Sequence, residues 1–312
     1  MKKILIATID GMIAKEDIKE LEKIGTVDWL VKEHISDIEL ATIARDYDYL
    51  MLNFDIVETL TEEFYNIIKN SNLKVISTDI TGMSWALPKK AKEVGVYLLN
   101  TSNYCTESVA EYSIMQIMLY AKRANLTYKD IYTNDNNIES RKTINLLNKT
   151  IGIVGLGNIG TRVAEIAKGM GMNVIAYNRN KKDMDIKQVD LETLFKESDF
   201  ISIHLKTIPG VTTNLIDKDL LMLCKKECFI ENQADSKIMN IDDLEDALEN
   251  GLIAGYGATY NDLTKDLVKY DNVILFPANA WLSDESLTNL KNIWMNNILE
   301  FEKGNIINLV EE

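Results

Sequence analysis

The run Ile151-Gly152-Ile153-Val154, followed at once by Gly155-Leu156-Gly157-Asn158-Ile159-Gly160, limits this chain more than any other segment. Four apolar residues predict a buried strand, and the residues after the glycines, 159–169, carry the apolar spacing of an amphipathic helix. A strand that turns through G-x-G-x-x-G into a helix aims the helix N-terminus and its unsatisfied N–H groups at an anion. Gly155 is expected to permit the tight turn, Gly157 to let a pyrophosphate reach the backbone, and Gly160 to allow close packing of helix on strand. With Asn158 and Ile159, they form the expected phosphate seat of a dinucleotide. A glycine turn without a ligand is the plainer alternative, and the strand–turn–helix context weighs against it.

The surrounding pattern has the same character. Downstream, strands are expected at 173–177, 200–204, 228–231, 253–257 and 273–276, with helices at 190–196, 217–223 and 241–249 between them. Upstream, short apolar runs at 4–9, 49–52, 73–76 and 96–99 alternate with amphipathic stretches at 17–24 and 62–68, and the last run follows a polar segment at 88–93. This is the alternation of βαβ units and a parallel sheet. A long apolar helix is expected over 106–126, with Thr106 as its cap and Glu107 in its first turn. The polar, Asn-rich stretch 128–149 reads as a loop or arm with one short helical piece.

Charge and cysteine content exclude several classes. The 34 basic and 48 acidic residues give a net charge of −14, which repels nucleic acid and anionic membrane surfaces. The apolar start at 4–7 is too short for a secretory signal, and the longest apolar window, 112–121, cannot cross a bilayer. Cys105, Cys224 and Cys228 form neither a disulfide framework nor a metal-ligand spacing, so no metal is expected and reduced cytoplasmic thiols fit best. A soluble, cytoplasmic protein is expected.

Where the second strand of a dinucleotide site ends, a carboxylate normally accepts from the adenosine ribose hydroxyls. Here that position is Asn178, followed by Arg179, Lys181 and Lys182. An amide does not repel a 2′-phosphate and the cations can neutralise one, which favours NADP over NAD. The alternative is an ordinary solvated turn.

These segments resemble the D-isomer-specific 2-hydroxyacid dehydrogenases, which include glyoxylate and hydroxypyruvate reductases, over nearly the whole chain. The residues that carry the resemblance are Glu107-Ser108-Val109-Ala110-Glu111, Lys149 to Gly152, Ser198 to His204 and Asp243 to Leu248. The fold it implies is α/β: a doubly wound, parallel-sheet Rossmann domain over 102–282, inserted into a smaller flavodoxin-like substrate domain made of 1–101 and 283–312, with the active site in the cleft between them. The helix beginning at Thr106 implies a homodimer, although burial within one chain explains its apolar face equally well. The strand 200–204 would lie beneath the cofactor and put His204 beside it.

The resemblance also implies an arginine that grips the substrate carboxylate, a histidine that transfers the proton and a glutamate that raises the histidine pKa. Those positions fall on Asp235, Ala278 and Thr264, with Asp262 or Asp266 as the only nearby carboxylates for the third. The histidines are His34, expected at the surface, and His204. Asp79, in the loop expected to present backbone to the carboxylate, adds a second negative group. Ser84, Tyr104, Cys105 and Trp281 are candidates for a diverged site, each equally readable as lining or core.

Two main readings follow. One is a non-catalytic or regulatory dinucleotide-binding protein, a pseudoenzyme whose cofactor gates domain closure. The other is an oxidoreductase acting on a neutral or cationic substrate, the cation paired by Asp235. An ordinary 2-hydroxyacid dehydrogenase with a rearranged site is the third.

Overall fold

The computed structural model describes residues 1–133 and 142–311. Backbone contacts divide the chain into two units, Met1–Cys105 with Asp284–Glu312, and Thr106–Ser283. The division lies a few residues C-terminal to the expected boundaries of 102 and 282, because the first crossing ends where a long helix begins.

In the first unit, the chain runs through β1 (Lys2–Thr8), α1 (Lys19–Glu22), β2 (Gly25–Val31), α2 (Asp37–Ala44), β3 (Tyr49–Leu52), α3 (Glu62–Ile68), β4 (Val75–Thr78), α4 (Pro88–Glu93) and β5 (Tyr97–Leu99). The five strands are parallel in the order β2-β1-β3-β4-β5. Alternate residues feed opposite faces: Leu5, Leu50 and Ile76 enter one buried cluster, while Ile4, Ile6, Tyr49 and Val75 enter the other. Ser36 and Thr61 cap α2 and α3 by accepting from Glu39 N and Phe64 N, an arrangement worth about 1 kcal/mol each.

Four of these elements differ from expectation, one of them α2, whose Ser36 cap the sequence reading passed over. β2 was not anticipated, because as an edge strand it has the burial of a surface segment and no continuous apolar run. α1 shrinks to one turn to make room for it. The polar segment 88–93 is a helix, since Pro88 occupies its first position, where a missing N–H costs nothing.

The second unit opens with α5 (Thr106–Ala121), and α6 (Ala124–Thr133) follows. The expected single helix to 126 is broken at Arg123, whose φ of 52° is left-handed and whose guanidinium returns over the Tyr120 ring at 4.4 Å. Thr106 is the first helical residue rather than the cap. Part of the 128–149 arm lies outside the described residues. The unit continues through β6 (Thr150–Val154), α7 (Asn158–Gly169), β7 (Asn173–Tyr177), β8 (Lys187–Gln188), α8 (Leu191–Glu197), β9 (Phe200–Ile203), α9 (Lys218–Leu221), β10 (Phe229–Asn232), α10 (Ile241–Glu249), β11 (Gly255–Thr259) and β12 (Val273–Phe276). Its seven parallel strands run in the order β12-β11-β10-β9-β6-β7-β8. This is the doubly wound arrangement, and its order reverses between β6 and β9, where such sheets bind ligands at the carboxyl ends of their strands.

The chain then returns to the first unit as α11 (Asp284–Glu302). Trp294 is fully buried there, donating from Nε1 to Ser77 O at 2.8 Å and accepting from Ser77 Oγ at 2.9 Å through its own carbonyl. No helix among the described residues is long and apolar enough to cross a membrane.

Candidate functional site

The glycine turn stands at the reversal of strand order. Gly155 has a φ of 103°, and a Cβ built on it would lie 2.8 Å from the carbonyl oxygen of His204, so the turn rests directly on the chain leaving β9. A Cβ on Gly160 would lie 2.0 Å from Gly155 O, while one on Gly157 would meet nothing within 4 Å. Two glycines therefore allow packing and the third leaves open space in front of the backbone. Gly157 is also the N-cap of α7 and supplies no side-chain acceptor to the first-turn N–H groups. A cavity of about 230 Å³ adjoins the turn, lined by Tyr177, Asn178, Arg179, Leu205, Lys206 and Thr212 among others. An open backbone seat, a helix N-terminus and a cavity past the end of the next strand fit the pyrophosphate and adenosine of a dinucleotide.

Asn178 acts first on the turn itself. Its Oδ1 accepts from Leu156 N at 3.0 Å and its Nδ2 donates to Asn180 O at 2.6 Å. Lys182 Nζ donates to Leu156 O, so this cation braces the turn. Arg179 is exposed beside the cavity.

The three positions expected to carry the carboxylate-binding and proton-transfer set are each engaged in local structure. Asp235 is exposed and caps a single helical turn, accepting from Lys237 N at 2.9 Å through Oδ1. That local role removes the basis for its expected pairing with a cationic substrate. Thr264 is fully buried, with Oγ1 accepting from Asn261 N and donating to Thr259 O, both at 2.9 Å. Asp262 and Asp266, the alternative carboxylates, are both exposed, and Asp262 pairs with Lys265 at 3.5 Å. Ala278 is exposed, and its carbonyl accepts from the Trp281 indole at 3.1 Å. Trp281 is thus tied to the loop that carries Ala278.

In the first unit, Asp79 is buried and accepts from Asn53 Nδ2 and, at 2.8 Å, from Phe54 N. Burial raises its carboxyl to about 6, against those two bonds. Asp79 fastens the end of β4 to the loop after β3, which corrects its reading as a charge offered to a ligand. Ser84 is exposed on a separate helical turn. Tyr104 and Cys105 are half-buried neighbours, each pushed up mainly by burial. His34 is exposed.

His204 heads a polar cluster that sequence reasoning missed. Its Nε2 lies 2.7 Å from Ser202 Oγ, and Ser202 hydrogen bonds to Glu231 Oε2 on the neighbouring strand, its register partner. Glu231 is fully buried, and its Oε1 has no hydrogen-bond partner among the described residues. Burial drives its carboxyl up to about 7, opposed chiefly by the hydrogen bond from Ser202. Burial also lowers the His204 imidazole to about 3. The signal was present: Glu231 lies in an otherwise apolar strand. The strand was expected to end there, whereas β10 runs on to a buried Asn232 and makes Glu231 an interior residue.

Fold, turn and cavity together define a dinucleotide-binding α/β protein. Residues 114–280 match the D-isomer specific 2-hydroxyacid dehydrogenase, NAD binding domain, and the chain belongs to that family. The chain is 31% identical over 261 residues to the hydroxypyruvate reductase of Thermotoga maritima, covering 80% of this chain and 82% of that one. It is 29% identical over 255 residues to the glyoxylate reductase of Thermococcus litoralis, with 75% of each covered. Among solved structures it is similar to an acyclic imino acid reductase in complex with NADPH and D-Arg, with a TM-score of 0.85 at 23% identity and 99% of both chains covered. D-2-hydroxyisocaproate dehydrogenase gives a TM-score of 0.86 at 20% identity, covering 99% of this chain and 100% of that one.

Proposed function

We propose that this protein is a nicotinamide-dinucleotide-dependent oxidoreductase of diverged chemistry, reducing a carbonyl or imine without the arginine, glutamate and histidine of 2-hydroxyacid reduction. One observation carries the reading. The dinucleotide seat is intact, yet Asp235, Thr264 and Ala278 supply no cation, no carboxylate and no imidazole at the three positions. A 2-keto acid would meet no bidentate clamp at Asp235 and no proton donor at Ala278. A buried, titratable carboxyl near the carboxyl edge of the sheet favours a working enzyme over a passive binder.

A bound nicotinamide supplies hydride. The chain's own part is to seat the phosphates on Gly155–Gly160, to hold the adenosine beside Asn178 and Arg179, and to keep a proton near His204. Arg179 and Lys206 on the cavity wall favour NADP over NAD. The acyclic imino acid reductase of similar fold holds NADPH, which supports an imine as the substrate class. A homodimer in the cytoplasm completes the reading, with light scattering as the test of assembly.

The functional test is a turnover panel with NADH and NADPH, in which 2-oxo acids are offered alone and then with ammonia or small amines. Binding of NADPH, oxidation in the presence of amine, and negligible oxidation with the keto acid alone are expected. Reduction of glyoxylate or hydroxypyruvate alone at an ordinary enzymatic rate, about 10 s⁻¹, would refute the reading. NADPH binding with no oxidation anywhere on the panel would leave the non-catalytic reading in its place.

A further inference from the structure

We propose that Glu231, Ser202 and His204 form a proton relay that opens at His204 Nδ1, with Glu231 as the reservoir and Ser202 as the bridge. The inference rests on the oxidoreductase reading above, since such a reduction needs a proton as well as a hydride. Its geometry comes from the sheet. Ser202 and His204 are two apart on one strand and its continuation, so both point to one face. Glu231 pairs in register with Ser202 on β10 and joins them there. His204 follows the end of β9, at the carboxyl edge and against the glycine turn, and its residue is only partly covered whereas Ser202 and Glu231 are fully buried.

A carboxyl in an apolar sheet would ordinarily be a fault, because a buried charge without a counter-charge is costly. Glu231 meets Ser202 and, through it, His204 from the β9 side, with Ser113 from α5, Gln233 from beyond its own strand and Gly257 as its register partner on β11; Tyr256, the next residue along β11, feels its charge from the other face of the sheet. Of these, His204 and Tyr256 are titratable, and neither carries a positive charge near neutrality, given an imidazole lowered to about 3. The carboxyl therefore gains no ion pair from them, and holding a proton is the chemistry open to it.

The bond order of the chain follows from its donors and acceptors. With Glu231 ionised, the Ser202 hydroxyl donates to the carboxylate and accepts from Nε2–H of a neutral imidazole. When a proton arrives at Nδ1, the Nε2–H bond breaks as a new Ser202 O–H bond forms, and the original Ser202 proton passes to Glu231. The result is a neutral carboxylic acid and a neutral imidazole carrying hydrogen on Nδ1. One proton has been taken up, no electrons have moved, and imidazolium is never required. Run in reverse, the chain delivers one proton from Nδ1 to a ligand and leaves Glu231 as carboxylate.

The test is ring-nitrogen NMR on ¹⁵N-histidine-labelled protein without ligand, which is practical because the chain holds only His34 and His204. A His34→Gln variant identifies the His204 signals. Neutral His204 is expected to change tautomer from Nδ1–H to Nε2–H as pH rises through about 7, with the ratio moving roughly tenfold per pH unit near the ends of the change. Glu231→Gln and, independently, Ser202→Ala are expected to abolish the switch while leaving the fold intact by circular dichroism. A single tautomer across pH 5.5–8.5 in the wild type overturns the relay, as does an imidazolium titration unaltered by Glu231→Gln. Because no cofactor or substrate is present, a tautomer switch without turnover defeats only the oxidoreductase reading, and turnover without a switch defeats only the relay.

Discussion

Replacing Glu231 by Gln is expected to change the pH dependence of stability in a direction opposite to that of an ordinary carboxylate. The carboxyl stands at about 7 in the folded protein against a reference of 4.5. A group whose acid form is favoured by folding stabilises the native state below its unfolded pKa, and that stability is lost as pH rises from 4.5 through 7. The difference of about 2.5 pH units corresponds to about 3.4 kcal/mol in full, of which about 2.5 kcal/mol falls between pH 5 and pH 8. His204 contributes the reverse slope, since an imidazole lowered to about 3 must stay neutral in the native state and gains its proton on unfolding. Wild-type stability between pH 4.5 and 6.5 is thus nearly flat with respect to this pair, and a single pH profile would hide both. The difference between variant and wild type isolates Glu231 wherever His204 is neutral in both, which the ring-nitrogen spectra of the two proteins report directly. Urea unfolding at pH 5, 6, 7 and 8 should show Glu231→Gln gaining about 2.5 kcal/mol on the wild type across that range. A difference that stays within about 0.5 kcal/mol from pH 5 to pH 8 is at the level of ordinary surface effects and would refute the assignment of a raised carboxyl.

Gly160→Ala places a methyl 2.0 Å from Gly155 O, and dinucleotide affinity should fall by roughly 100-fold, about 2.7 kcal/mol, in a nucleotide fluorescence titration. Arg179→Ala should weaken NADPH about fivefold, in line with one exposed phosphate contact, and leave NADH unchanged; equal losses for both would show that Arg179 does not read a 2′-phosphate. Asp235→Arg with Ala278→His is sterically open, since both residues are exposed, and should raise glyoxylate reduction at least about tenfold over the parent by restoring clamp and acid together. No gain in the double variant would mean that clamp and acid at these two positions are not enough for 2-oxo acid reduction.

The second unit was largely legible because its signals are local. Asp190, Asp217 and Asn240 each stand at an N-cap and accept from the residue three positions on, and the glycine spacing declares its own turn. β2 was not legible, since an edge strand needs only one covered face. The break between α5 and α6 hangs on the left-handed backbone of Arg123, which no apolar period reports. The glycine turn and its phosphate seat were legible from their spacing, whereas the surroundings of the buried carboxyls were not. Asp79 finds its partners 25 and 26 residues away in the loop after β3, while Glu231 acquires its character from a strand paired across 29 residues. Charge state in a folded protein is set by such non-local neighbours, and the sequence holds only the residues, not their pairing.

The contact between Gly155 and the His204 carbonyl has a mechanical meaning. A glycine without a side chain seats the phosphate turn on the peptide that carries the imidazole, and His204 N is itself bonded to Val154 O at 2.8 Å. Turn and imidazole are thereby mounted on one stiff piece of backbone, and a ligand gripped by its phosphates inherits its alignment with the ring. A side chain at 155 would do more than weaken binding: like a shim under one leg of an instrument, it would throw the two ends out of true.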